Sequence, residues 1–135
     1  MPRPKKSAPL TRLGELETDI MNVVWEKGQA TVQDVKDALE PRRTLAYTTI
    51  MTVMSRLAEK GVVERRKEGR AYYYTPAASQ EKVAGSLLQS LVKRLYAGAT
   101  AKAIAQLLET EETVDDAELE RLEALIRSKR KGRRP

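Results

Sequence analysis

The sequence predicts a mainly α-helical chain with one small β wing: an N-terminal winged helix-turn-helix followed by a C-terminal three-helix module. Three observations carry that expectation. Ile50, Val53, Met54 and Leu57 recur at helical spacing and the run stops at Gly61, a residue that accepts left-handed backbone. Val62–Tyr74 then reads as two strand-like runs joined at a Glu68-Gly69 turn, with basic residues on both sides. Beyond Ser79, apolar residues at helical spacing define three more helices with little chain between them.

Taken in order, residues 1–9 are basic and proline-rich with no apolar stripe to bury, which reads as a flexible arm, or as an arm that follows a phosphate backbone or enters a minor groove. Residues 10–76 form the winged-helix domain. Leu13, Leu16, Ile20, Val23 and Val24 make the inner face of its first helix, with Thr11 as its expected cap and a stop near Lys27-Gly28. Trp25 reads as core packing. Gln29-Ala30 is a connector able to pair beside the wing, and Thr31 is the expected N-cap of a second helix with Val32, Val35, Ala38 and Leu39 inward and Pro41 closing it.

Residues 77–127 read as a helical dimerisation domain. Ser79 starts a helix from Gln80 to Tyr96 whose apolar arc, including Leu87, Leu88, Leu91 and Leu95, is too broad for one neighbour. Thr100 is the expected cap of a helix carrying Ile104, Leu107 and Leu108, and a last helix from near Val114 carries Leu119, Leu122 and Ile126. Three short helices cannot cover that much apolar surface, and a symmetric homodimer is the economical cover. Residues 128–135 read as a basic tail that complements the helix dipole and then frays, with auxiliary DNA contact as the alternative.

Composition narrows the function. The 135-residue chain has no cysteine and no histidine. Disulfides, thiolate metal sites and cysteine nucleophiles are excluded, the usual general base is missing, and neither enzymatic activity nor a cofactor or metal is expected. No apolar run reaches membrane-span length, so a cytoplasmic, nucleoid-associated protein is expected. The net charge of +6 and pI near 9.6 favour a polyanionic partner. That excess is local: from Arg42 to Arg70 eight bases face only three acids, Glu59, Glu64 and Glu68.

The expected partner is double-stranded DNA. The outward face of the third helix offers Thr48, Thr52 and Ser55, hydroxyls small enough to let it lie close to base edges, flanked by Tyr47, Met51 and Arg56. Arg42 and Arg43 at its entrance, with Arg66, Lys67 and Arg70 on the wing, suit phosphate contacts that set register. A protein-docking winged helix is the competing class, but it would favour aromatic anchors over hydroxyls ringed by arginine.

The motif set Leu13-Gly14-Glu15-Leu16-Glu17, Val24-Trp25, Thr31-Val32, Ala46–Thr52 with Arg56-Leu57, Lys60–Val63, Glu68–Pro76 and Arg94–Gly98 resembles the penicillinase-repressor family of bacterial transcriptional regulators. The resemblance spans Leu13 to about Ile126. It implies a homodimeric repressor on a palindromic operator, with Thr48, Met51, Thr52 and Arg56 on the DNA-reading helix and Lys67 and Arg70 on the wing; regulators that also activate are the alternative. Two departures stand out. Copper-responsive members carry C-terminal cysteines, absent here. Where penicillinase repressors have a cleavable Asn-Phe bond, this chain has Gln106-Leu107, with Gln106 expected exposed between buried Ile104 and Leu107, which leaves the inducer or protease open.

Overall fold

Those apolar periods become helices and a hairpin in the computed structural model of the protein, which describes residues 13–110, 112 and 114–132. The expected basic arm 1–9 and the Thr11 cap lie outside the described residues. The order is α1 (Glu15–Lys27), α2 (Val32–Leu39), α3 (Tyr47–Glu59), β1 (Val63–Glu68), β2 (Ala71–Pro76), α4 (Gln80–Tyr96), α5 (Thr100–Thr110) and α6 (Asp116–Gly132).

Backbone chemistry explains most boundaries. α1 begins at Gly14, not at Thr11: Glu17 reaches back to accept the Gly14 N–H at 2.8 Å, and Thr18 Oγ1 donates to the Gly14 carbonyl at 2.8 Å. It ends at Gly28, in the left-handed region with φ 80°. Thr31 caps α2 as expected, accepting the Asp34 N–H while Asp34 accepts that of Thr31, both at 3.0 Å. α3 closes with a Schellman motif: Gly61 at φ 82° lets Val62 N bond Leu57 O at 3.0 Å and Gly61 N bond Ala58 O at 3.1 Å.

The hairpin is antiparallel, pairing Val63 with Pro76 through Glu68 with Ala71. Its two-residue loop is Gly69-Arg70, with positive φ at Gly69 as a type II′ turn requires. Ala30 joins as a third, one-residue strand, its N–H donating to Tyr74 O at 3.0 Å and accepting that of Tyr74 at 2.8 Å through its own carbonyl. Beneath lies the core: Ile20, Met21 and Val24 from α1, Val35 and Leu39 from α2, Ile50, Met54 and Leu57 from α3, and Tyr74 from β2. Trp25 packs against it and donates its indole N–H to Ala78 O at 3.0 Å. Ala38, expected inward, is exposed because the short α2 needs only Val32, Val35 and Leu39 to cover its inner side.

Contacts divide the chain into two compact units after Ser90, inside α4, rather than at the Pro76 loop. The first turns of α4 belong to the first unit: Ser79 Oγ accepts the Lys82 N–H, Gln80 bonds Asn22, and Val83 is buried. In the second unit, Ala97 and Gly98 take positive φ to end α4, and the backbone carbonyl of Ala99, rather than Thr100, receives the first N–H groups of α5. Asp115 caps α6 through the Glu118 N–H at 2.9 Å. α6 runs to Gly132, so residues 128–132 of the expected fraying tail are helical. Neither α5 nor α6 has a buried residue, and Ile104 and Leu107, expected buried beside Gln106, are exposed in the single chain. No helix among the described residues is long and apolar enough to cross a membrane.

Candidate nucleic-acid interface

α3 owes its orientation to one apolar stripe. With Ile50, Met54 and Leu57 fully inside, Tyr47, Thr48, Met51, Thr52 and Arg56 are exposed and Ser55 is half-buried. The first turn has no acid and no side-chain cap, so its leading N–H groups are open to an anion. Facing this helix, the inner side of the wing completes a groove lined by Tyr47, Met51, Thr52, Ser55, Arg56 and, at its far end, the acid Glu59 from α3, Thr31 and Gln33 from the α2 start, and Arg65, Arg70 and Tyr72 from the wing.

Strand alternation decides which wing cations belong to that groove. Arg65 pairs with buried Tyr74 and Lys67 with Tyr72, so both lie on the inner face. Their charges sit over the Tyr72 ring, Arg65 Cζ at 4.7 Å and Lys67 Nζ at 5.8 Å from its centroid. Arg66 points the other way, onto Tyr73, and bonds Glu68 at 3.1 Å and Gln29 at 3.3 Å. Arg65 and Gln33 are groove residues that the reading of the sequence did not place there; pairing Arg65 with the apolar position of Tyr74 is the signal that locates the first.

Ion pairs sort the remaining bases. Arg43 is held by Asp19 at 2.9 Å and Glu15 at 3.6 Å, which clamps the α2–α3 turn onto α1. Lys60 is held by Glu17 at 2.7 Å. Partial burial of Glu17 opposes its ionisation, but hydrogen bonds from Lys60 and the Gly14 N–H, with the charges of Lys60 and Arg56, outweigh it and keep this carboxyl below its ordinary value. Arg42, Arg56, Arg65, Lys67 and Arg70 form no ion pair among the described residues. Acids thus pair with Arg43 and Lys60, which brace the fold, and with Arg66 on the outer face of the wing, and leave Arg56, Arg65 and Arg70 of the groove without an ion pair among the described residues.

Chemically the groove offers cations, hydroxyls, one carboxylate at Glu59 and three exposed apolar side chains, Tyr47, Met51 and Tyr72. Thr52 Oγ1 donates to Thr48 O at 2.9 Å, so outward it presents an acceptor and a methyl group. Those suit an amino group on cytosine or adenine and the methyl of thymine. Among the described residues no group of acids could hold a metal ion.

Comparison with known proteins follows the same outline. The family model described as penicillinase repressor matches residues 13–128. Over 104 residues the chain is 39% identical to the transcriptional regulator BlaI of Mycobacterium tuberculosis, covering 76% of this chain and 75% of that protein. It is 26% identical over 103 residues to the penicillinase repressor of Bacillus licheniformis, covering 76% and 80%. A solution structure of the DNA-binding domain of the repressor BlaI superposes with TM-score 0.48 at 28% identity, over 54% of this chain and 93% of that one.

Proposed function

The chain belongs to the penicillinase repressor family, and on that premise we propose that it is a transcriptional repressor that binds a palindromic operator in double-stranded DNA as a cytoplasmic homodimer. One observation carries the reading: Arg56, Arg65 and Arg70 line the α3–wing groove without an ion pair among the described residues, while Arg43, Lys60 and Arg66 beside it are tied to acids. A surface meant for a neutral or basic partner would not leave its charge so sorted, and phosphate is the complement. In this reading α3 enters the major groove, Thr48, Met51, Thr52 and Arg56 face base edges, and Arg42, Lys67 and Arg70 hold the backbone. Ser55, half-buried in the same groove, sets how closely α3 approaches. Arg43 and Arg66 support that surface from behind. Leu87, Leu88, Leu91, Leu95, Ile104, Leu107, Leu108, Leu119, Leu122 and Ile126 supply the surface that joins two protomers, which puts two α3 helices on one face of the duplex about one helical turn apart, or a multiple of it.

The experiment is to sequence the fragments of random genomic DNA that the protein retains at near-physiological salt, then to repeat the selection with Thr52→Ala. Retained fragments should share an inverted repeat. The variant should lose about 1–3 kcal/mol of discrimination at one position per half-site, whereas Lys67→Gln should weaken all duplexes alike. Retention without any shared sequence would reduce the reading to non-specific DNA binding.

A further inference from the structure

The basic end of α6 is outside the function described so far. From Ala124 onward the sequence has six bases, Arg127, Lys129, Arg130, Lys131, Arg133 and Arg134, and no acid; the last two lie outside the described residues. The helix persists through Gly132, so Arg127, Arg130 and Lys131 stand at i, i+3 and i+4 as a rigid stripe. All three are exposed and form no ion pair among the described residues; the ion pair of α6 is that of Arg121 with Glu118, two turns earlier. Small side chains, Ala124 and Ser128, line the shallow cleft between these cations.

Complementing the helix dipole accounts for bases in the last turn. It does not account for three like charges spaced to repel one another across that turn, a pattern that weakens an isolated helix and that a polyanion would reverse. At about 100° per residue, Arg127 and Lys131 lie roughly 100° or more round the helix from the centre of the Leu119, Leu122 and Ile126 face, and Arg130 borders that face one turn beyond Ile126, so closing a partner protomer on the apolar face leaves Arg127 and Lys131 in solvent and Arg130 at its rim. The family match ends at residue 128, so Arg130 and Lys131 lie outside the matched stretch.

We propose that Arg127, Arg130 and Lys131 form a second duplex-DNA contact, a phosphate-backbone grip used in addition to the α3–wing groove, so that the protein holds DNA at more points than its two half-sites. The proposal rests on the DNA-binding reading above. Its chemistry needs charge and close approach rather than base recognition: stem flexibility in Arg and Lys lets each cation meet a phosphate oxygen, and each neutralised phosphate releases counterions.

The test uses the full-length protein and a fluorescent random-sequence duplex several helical turns long, titrated across a salt series. Replacing Arg127, Arg130 and Lys131 together by Gln keeps helix propensity, which circular dichroism checks. The slope of log affinity against log salt should become shallower by about one unit per lost contact, up to about three per protomer. Replacing Arg127 and Arg130 by Lys should keep the slope, and Arg121→Gln should leave it unchanged. An unchanged slope in the triple Gln variant overturns the proposal. So does a loss seen only with anionic phospholipid vesicles or single-stranded RNA, run in parallel, because the stripe would then serve another polyanion. Wild-type protein that binds no duplex overturns the parent reading instead.

Discussion

Two halves of one chain solve the burial problem in different ways. In the first unit each helix closes a side: Met21, Val35 and Met54, from α1, α2 and α3, are all fully buried, and Tyr74 of the wing seals the layer. In the second unit α5 and α6 bury nothing, while Leu95 is 71% exposed and Leu107 58%. A helix of that kind in water is incomplete rather than merely polar-poor, because large contiguous apolar faces on single chains mark surfaces that meet another molecule. The contrast fits the two jobs of the proposed function: the first unit is folded by its own contacts and is the proposed DNA reader, and the second is the proposed place where a second copy finishes the fold.

The largest effect that would sharpen this contrast comes from cutting the chain after Ser90. The truncated protein should stay folded, since it keeps Ala78, which accepts the Trp25 indole N–H, and buried Val83. It should sediment as a monomer. Losing the linkage of two half-site contacts should lower operator affinity by about 10²–10⁴-fold, since the second contact is no longer intramolecular. A truncation that remains dimeric would put the interface in the winged-helix unit and break the comparison outright.

Next in size are single large-to-small changes, one in each half. Met54→Ala empties a fully buried site and should cost about 2–5 kcal/mol in denaturant unfolding. Leu95→Ala removes as many atoms from a side chain already in water within a single chain, so the stability of the first unit should not move. Its effect should appear instead as a higher dissociation constant for the dimer in sedimentation equilibrium. If the two substitutions destabilised the first unit equally, the halves would not be independent.

How far the sequence alone foretells this structure depends on how local the signal is. Period and capping are local, so the stripe of Ile50, Met54 and Leu57, the Thr31 cap and the Gly61 stop are all legible in a few residues. The α1 start was misplaced because Gly14 has no capping side chain of its own and borrows the carboxylate of Glu17 from the next turn. Non-local charge pairing is harder to see. Arg43 looks like a phosphate contact until α1 brings Asp19 to it across the fold, and Arg66 looks like a neighbour of Lys67 until the strand register turns it to the opposite face. α6 reads as fraying from residue 128 because its cations resemble a tail, yet the helix continues to Gly132. The exposure of Ile104 and Leu107 in the single chain matches the excess of apolar face read from the sequence, although apolar spacing says that a face wants cover without saying which chain provides it.

The smallest effect tests whether the same kind of ion pair is worth something in one half and little in the other. Lys60 and Glu17 meet at 2.7 Å between α3 and α1, with the Glu17 side chain only 17% exposed, whereas Arg121 and Glu118 meet at 2.8 Å within α6, well exposed. Gln at position 17 keeps an oxygen for the Gly14 N–H but loses the charge facing Lys60. Glu17→Gln should therefore cost roughly 0.5–1 kcal/mol at neutral pH, and Arg121→Gln a few tenths at most. The pH dependence follows from the direction of the Glu17 shift. Its carboxyl is held below the ordinary value of 4.5 when folded, so the unfolded chain takes up the proton first as pH falls. The contribution is fully present above that ordinary value, drains as pH drops through it, and is gone below the folded value. Melting curves of wild type and Glu17→Gln should run a constant distance apart from neutral pH down to about pH 5 and converge in more acidic solution. A gap that persists in strong acid would assign the difference to packing or to the Gly14 cap, and would leave the Lys60 pair no more valuable than its exposed counterpart in α6.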